Sequence, residues 1–207
     1  MNNNINYRKW KIKILSAIQI KFIICIERKE KRKMIYIVRH GQTNYNVEGR
    51  YGGRIDTELN QKGIEQAYEL HEKLKNIQFD KVFSSPLQRA YKTAEIICKQ
   101  TITKDERIIE RDNGELEDKL KTEITEKIDF NDPNEKRYNI ENILDFRKRI
   151  NDFFEEITKE YRGKNVLVVT HAGVGIYARC FFEGEPQDGN YMQYKLNNCE
   201  VLEYKND

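Results

Sequence analysis

Cysteine is scarce and scattered in this 207-residue chain: Cys25, Cys98, Cys180 and Cys199 form no C-x-x-C pair. That usage excludes a disulfide framework and a zinc ribbon. It fits a reducing, cytoplasmic compartment in which each thiol is a small hydrophobe. None of the four is followed by arginine six positions on, which rules out an anion-binding loop built around a thiolate. The signatures G-x-x-x-x-G-K-[ST] and G-x-S-x-G are also missing, which removes nucleotide P-loops and nucleophile-elbow hydrolases. Histidine is rarer still, with three residues, and no His/Asp cluster has metal-ligand spacing, so neither a metal nor another cofactor is called for.

Long apolar runs are lacking too. The most hydrophobic stretch, Ile12 to Ile26, is broken by Lys13, Gln19 and Lys21, short of the roughly 18 uninterrupted apolar residues of a spanning helix. No small-residue cleavage site follows, and Cys25 comes after two isoleucines where a lipid-anchor site needs a small residue. The net charge of +3 is uneven, because residues 1–33 hold 10 basic and 2 acidic residues, leaving 27 basic and 32 acidic for the rest. That acidic body has no basic stripe, so no nucleic-acid partner is expected. The basic cluster Arg28 to Lys33 leads into Met34. We read residues 1–33 as an N-terminal extension outside the fold, with Met34 as the working start; a cationic membrane-surface segment is the alternative.

Residues 34–207 alternate strand-like runs with helical stretches and are long enough to bury a core. The pattern indicates a single α/β domain, a three-layer α/β/α sandwich with a mostly parallel central sheet. Ile35 to Val38 reads as the first strand, with Gly41 and Thr43 in the turn after it. Asn60 is placed to cap a helix whose Ala67, Leu70, Leu74 and Ile77 repeat at helical spacing. Lys81 to Ser84 forms a second strand, and Pro86 suits the first turn of the next helix. Arg107 to Ile109 reads as a third strand ending at Glu110, and the charged, aperiodic residues 111–141 as a surface excursion over a site. A long helix follows from about Ile143 to Tyr161, then a strand over Asn165 to Val169, a helix through Ile176 to Phe182, and one or two edge strands between Tyr191 and Tyr204.

In an open parallel sheet, ligands collect beyond the carboxyl ends of the strands. Four chemically apt segments fall there: Arg39-His40, Ser84 to Arg89, Glu110 and His171. Two arginines and two histidines around one point make a socket for a dianionic phosphoryl group, because guanidinium forks grip its oxygens and imidazole attacks or donates. A carboxyl group beside them supplies a proton to the leaving oxygen. His40 must be neutral to attack, and adjacent arginines favour that form. His71, beside the apolar stripe of its helix, reads as an ordinary residue. Glu110 shares its stretch with Glu115, Glu117 and Asp118, for which a solvated face is the bland reading.

Five segments occur in a fixed order: Arg39-His40-Gly41-Gln42-Thr43, Asp56-x-x-Leu59-Asn60-x-x-Gly63-x-x-Gln66-Ala67, Ser84-Ser85-Pro86-Leu87-x-Arg89-Ala90-x-x-Thr93-Ala94, Glu110-Arg111-Asp112-Asn113-Gly114 and Val169-Thr170-His171-Ala172-Gly173. Together they resemble the histidine phosphatase superfamily, also called the phosphoglycerate mutase-like family, from Met34 to about Tyr204. The resemblance implies that His40 is the nucleophile and forms a phosphohistidine intermediate. It implies that Arg39, Arg89, Asn46 and His171 hold the phosphoryl oxygens, and that Glu110 protonates the leaving alcohol and then serves as base toward water. Two departures stand out: Asp118 where a glycine often follows the second glutamate, and Leu116 where an aromatic is common. Gly52 and Gly53 either help hold substrate through backbone N–H groups or form a flexible turn. Thr43 either touches the site or satisfies its own turn.

Mutases of this family carry a longer, arginine-bearing insertion between the acid motif and the last helices. Here residues 111–141 are short, with Lys136-Arg137 as the only adjacent basic pair. The resemblance therefore implies a metal-independent phosphatase acting on a small phosphomonoester, as a monomer or dimer, with Arg50, Arg54, Lys121 and Arg137 drawing anions to the rim. A phosphoglycerate mutase, a protein-phosphohistidine phosphatase and a non-catalytic phosphate-binding interaction module are the alternatives.

Overall fold

A computed structural model describes residues 33–207. The reading of residues 1–33 as an extension thus lies, Lys33 apart, outside the described residues. Ten regular elements follow in chain order: β1 (Met34–Arg39), α1 (Asn44–Glu48), α2 (Gln61–Leu74), β2 (Lys81–Ser84), α3 (Gln88–Ile97), β3 (Ile102–Lys104), α4 (Ile143–Glu160), β4 (Val166–Thr170), α5 (Ala172–Glu183) and β5 (Val201–Lys205). Short 3₁₀ turns interrupt the connections, three of them between Gly114 and Asn139.

The strands form one sheet in the order β3-β2-β4-β1-β5, parallel throughout except for β5, which runs antiparallel to β1 along one edge. Val166 to Val169 of β4 are completely buried, as a central parallel strand covered on both faces requires. Alternate strand residues feed two cores. Ile35, Ile37, Phe83, Val166 and Val168 pack against Phe146, Ile150, Phe153, Phe154 and Ile157 of α4 and against α5. Tyr36, Val38, Val82, Leu167 and Val169 pack against Leu70 and Leu74 of α2 and Ala90, Ala94 and Ile97 of α3. The result is the expected three-layer sandwich, with the period-two alternation of each strand deciding which helices it meets.

Local chemistry sets the helix starts. The Asn60 side chain accepts from Gly63 N at 2.8 Å, and that of Asn142 from Leu144 N at 2.8 Å, so each helix opens on a satisfied amide. Helix α3 starts at Gln88 and not at Pro86, because its N-terminal amide is capped from afar: the Asp56 carboxylate accepts from Gln88 N at 2.6 Å. The third strand is also displaced from its expected place. β3 covers Ile102–Lys104, and Glu106–Ile108 is a 3₁₀ turn held by Asp105, whose carboxylate accepts from Arg107 N at 2.9 Å. Glu110 therefore arrives on a loop two residues beyond that turn and not directly on a strand. Of the expected tail strands only β5 forms; Tyr191–Tyr194 is a 3₁₀ turn.

The excursion 111–141 is stitched to the loop after α1. Tyr51 exchanges two bonds with it (Tyr51 N to Lys119 O at 3.0 Å, Asp118 N to Tyr51 O at 2.9 Å), and Lys121 N donates to Gly49 O at 3.0 Å. Within the excursion Leu116 is completely buried. Asp118 adopts φ 68°, the left-handed region that a glycine would occupy without penalty. Its carboxylate accepts from the Tyr45 hydroxyl at 2.6 Å, and its carbonyl accepts from Arg50 Nη1 at 2.6 Å. Those two bonds hold the conformation.

Candidate active site

The parallel strands bring the ends of β1, β2 and β4 to the same edge of the sheet. His40 leaves β1 with its backbone N–H still bonded to Thr170 O of β4 at 2.9 Å, so the nucleophile candidate is fixed by the sheet itself. Its Nδ1 lies 2.7 Å from Gly41 O. A carbonyl accepts only, so Nδ1 carries the proton and Nε2 keeps the lone pair needed for attack. Gly41 is required by close approach: a Cβ there would lie 2.4 Å from Gly63 O.

Arg39 and Arg89 are both buried, with exposures of 9% and 4%. Arg39 Nη1 donates to Leu196 O at 2.7 Å, while its Nε is buried without a partner among the described residues. Arg89 donates to Ile55 O and Gly53 O, each at 2.7 Å. Burial pushes both guanidinium groups below their usual values, and Glu110 opposes the shift. His40 is pushed well below the ordinary imidazole range, first by burial and then by Arg89 and Arg39. The arginines thus act in the expected direction, but burial outweighs them.

His171 follows β4 and faces His40 edge-on, with ring centroids 5.2 Å apart and planes at 62°. It is completely buried against the His40 ring. Its Nε2 is 2.7 Å from Ser85 Oγ. Ser85 Oγ also accepts from Leu87 N at 3.4 Å; a hydroxyl that donates to Nε2 puts the imidazole proton on Nδ1. Nδ1 has no partner among the described residues. Burial, Arg89 and His40 push this ring well below its usual value as well.

Glu110 is aimed by two amides: Arg111 N donates to Oε1 at 3.0 Å and Gly173 N to Oε2 at 3.1 Å. The second belongs to the first turn of α5. A Cβ on Gly173 would fall 2.4 Å from Glu110 Oε1, so the glycine is what admits the acid. From α4, Arg149 Nη1 donates to Arg107 O and Ile109 O at 2.7 Å each and Nη2 to Glu110 O at 3.2 Å, while Nε pairs with Glu141 at 2.8 Å. Sequence reasoning missed Arg149, since an arginine on an amphipathic helix carries no signal of which distant carbonyls it holds.

Arg39, His40, Asn46, Gly52, Gly53, Arg89 and Glu110 line one cavity of about 130 Å³. Asn46 Oδ1 accepts from Thr43 N at 3.2 Å and from Asn198 Nδ2 at 3.1 Å, which commits its oxygen and leaves its amide N–H groups for a ligand. Asn198, which nothing in the sequence flagged, also donates to His40 O at 3.0 Å. Thr43 lines the cavity and caps α1 at the same time. Gly53 has φ 47° and spends its carbonyl on Arg89. His71 is structural, its Nδ1 lying 2.7 Å from Ile97 O. The expected rim cations divide: Arg50 pairs with Glu48 and Asp118, Arg54 with Asp112 and Glu141, and Arg137 with Glu126 and Glu135. Of the four, only Lys121 is in no ion pair among the described residues, and Lys195 joins it at the cavity.

Residues 35–207 match the histidine phosphatase superfamily, branch 1. The chain belongs to that family. It is 33% identical to phosphoserine phosphatase 1 of Hydrogenobacter thermophilus over 147 residues, covering 66% of this chain and 70% of that protein. It is 32% identical to the uncharacterised phosphatase PhoE of Bacillus subtilis, covering 83% of this chain and 90% of that one. A solved phosphoserine phosphatase variant from Entamoeba histolytica, in complex with phosphoserine, superposes with TM-score 0.74 at 25% identity over 83% of this chain and 89% of that one. The protein is accordingly a phosphatase of the histidine phosphatase type, a phosphomonoester hydrolase. Among the described residues no three His, Cys, Asp or Glu side chains are grouped as a metal site would need, and no helix is long and apolar enough to cross a membrane.

Proposed function

We propose that this enzyme hydrolyses a small-molecule phosphomonoester in two steps, through a phosphohistidine on His40 and without a metal. The carrying observation is the bond from His40 Nδ1 to Gly41 O at 2.7 Å, which leaves Nε2 as a buried, unprotonated nucleophile. In the first step Nε2 bonds to phosphorus as the ester P–O bond breaks, and Glu110 gives its proton to the departing alkoxide. In the second, Glu110 takes a proton from water as the water oxygen attacks phosphorus, and the N–P bond breaks to return His40 and release inorganic phosphate. Arg39 and Arg89, with Asn46 and the Nδ1–H of His171, stabilise the charge on the equatorial oxygens. Gly52 and Gly53 shape the loop above them.

Hydrolysis is favoured over phosphate migration because the segment over the site is short and three of its neighbouring arginines, Arg50, Arg54 and Arg137, are neutralised by carboxylates. A mutase needs cations to retain a bisphosphorylated intermediate. We place the enzyme in the cytoplasm, as a monomer or dimer. His40→Ala should lose about 10⁴-fold or more in kcat on a phosphomonoester panel, and wild-type enzyme quenched in acid-free conditions should carry phosphate on His40. Full activity in His40→Ala, or activity abolished by a chelator, overturns the mechanism. Conversion of 3- to 2-phosphoglycerate faster than release of phosphate overturns the preference for hydrolysis.

A further inference from the structure

A second and larger cavity, of about 540 Å³, opens from the catalytic pocket and shares Tyr51, Glu110, Asn113, Lys121, Ala172 and Lys195 with it. Beyond that junction the apolar part of its wall is Phe130, Phe146, Ile176, Tyr177, Tyr191 and Met192, with Arg111, Asn131 and Asn190 as the polar part. These walls hold one another in place. Tyr177 meets Phe146 edge-on at 5.6 Å and Tyr191 at 5.8 Å, while Arg111 lies 5.9 Å from the rings of both Phe130 and Phe146. The guanidinium of Arg111 is consumed by Phe130 O and Glu141 O, and the Tyr177 hydroxyl by Asn131 Oδ1 at 2.6 Å. The cavity therefore offers mainly ring faces, with the Asn131 and Asn190 side chains as further polar groups.

The charge at the junction differs from that of the rest of the rim. Lys121 and Lys195 are in no ion pair among the described residues, whereas Arg50 and Arg54 each have two carboxylates. Desolvation lowers both lysines, with Lys195 adding to the effect on Lys121 and Arg39 to that on Lys195. An anion between them relieves that repulsion. Glu110 also stands at the junction, so the ester oxygen it would protonate lies where the two cavities meet.

We propose that the leaving group is a hydroxy acid bearing an aromatic ring: its carboxylate meets Lys121 and Lys195 and its ring fills the larger cavity. This rests on the phosphatase reading of the catalytic pocket. A leaving group the size of serine or glycerate would reach the lysines and leave the ring-lined space to water, whereas a ring there buries apolar area against rigid walls.

Three secondary alkyl phosphates isolate the two features: O-phospho-3-phenyllactate, O-phospholactate without the ring, and 1-phenylpropan-2-yl phosphate without the carboxylate. For wild type, kcat/KM should be at least about tenfold higher with the first than with either of the others. Tyr191→Ala should erase most of the preference for the ring while leaving activity on O-phospholactate within about threefold, and Lys195→Met should erase most of the preference for the carboxylate. Equal kcat/KM on all three esters, with turnover still dependent on His40, overturns the proposal and leaves the phosphatase intact. Binding of the same esters to His40→Ala, measured calorimetrically, covers the remaining case. The same ranking of affinities without wild-type turnover upholds the subsite and overturns the phosphatase reading, and equal affinities without turnover overturn both.

Discussion

His40 and Glu110 are oriented by hydrogen bonds to the backbone, one for the imidazole and two for the carboxyl group. The Gly41 carbonyl sets the His40 tautomer, and the Gly173 amide turns Glu110 toward the junction. Protonation of the leaving oxygen matters most when the alcohol is a poor leaving group. Glu110→Gln should therefore slow alkyl phosphates by about 10²–10⁴-fold and aryl phosphates far less. Equal losses on both classes would sink the acid role. Ser85 acts one residue further back, through His171. Removing its hydroxyl in Ser85→Ala frees Nε2 to carry the proton and should lower kcat about tenfold with little change in KM, as loss of an interaction made mainly in the transition state does. Ser85→Thr should restore it, and a rise confined to KM would show that Ser85 only shapes the pocket.

Elements carry the next level of control, because the loop bearing Glu110 has no ladder bonds of its own. Helix α4 holds it through Arg149, whose guanidinium joins three carbonyls and Glu141. Arg149→Met should cost about 2 kcal/mol by urea denaturation, between the surface and fully buried limits for a broken pair. Its kcat should fall more on alkyl than on aryl phosphates, since Glu110 is what drifts. At the other wall the turn after β1 abuts α2 so closely that Gly41→Ala must displace Gly63. We expect a loss of about 3 kcal/mol or more, visible as an early urea midpoint. At this scale the amphipathic helices and the Val-rich β4 were legible from periodicity and capping residues. The displaced β3 was not: Arg107 to Ile109 has strand-like residues, yet Asp105 captures Arg107 N and the short side-chain bond wins over an edge ladder.

Over the whole molecule, the buried imidazoles couple activity to acid stability. Unfolded, His40 and His171 take up protons below about pH 6.5; folded, both are held well below that value. Between the two limits the unfolded chain binds more protons, so stability is full above the unfolded value and falls as pH drops through this window. The Tm should therefore decline between about pH 7 and about pH 5, and His40→Asn together with His171→Asn should flatten that decline. An unchanged slope in the double variant would assign it to carboxylates. Family and fold class were determined by the sequence alone, and so was the choice of His40, Arg39, Arg89 and His171 as candidate site residues, because each occupies a short contiguous motif near a strand end. Only the tertiary structure decided which rim cations stay unneutralised, which residues aim Glu110 and His171, and what lies beyond the catalytic pocket. Those depend on partners tens of residues away in the chain: Arg149 for Glu110, Ser85 for His171, Asp112 and Glu141 for Arg54. Spacing within a motif cannot encode contacts that exist only once the sheet has brought its strand ends together.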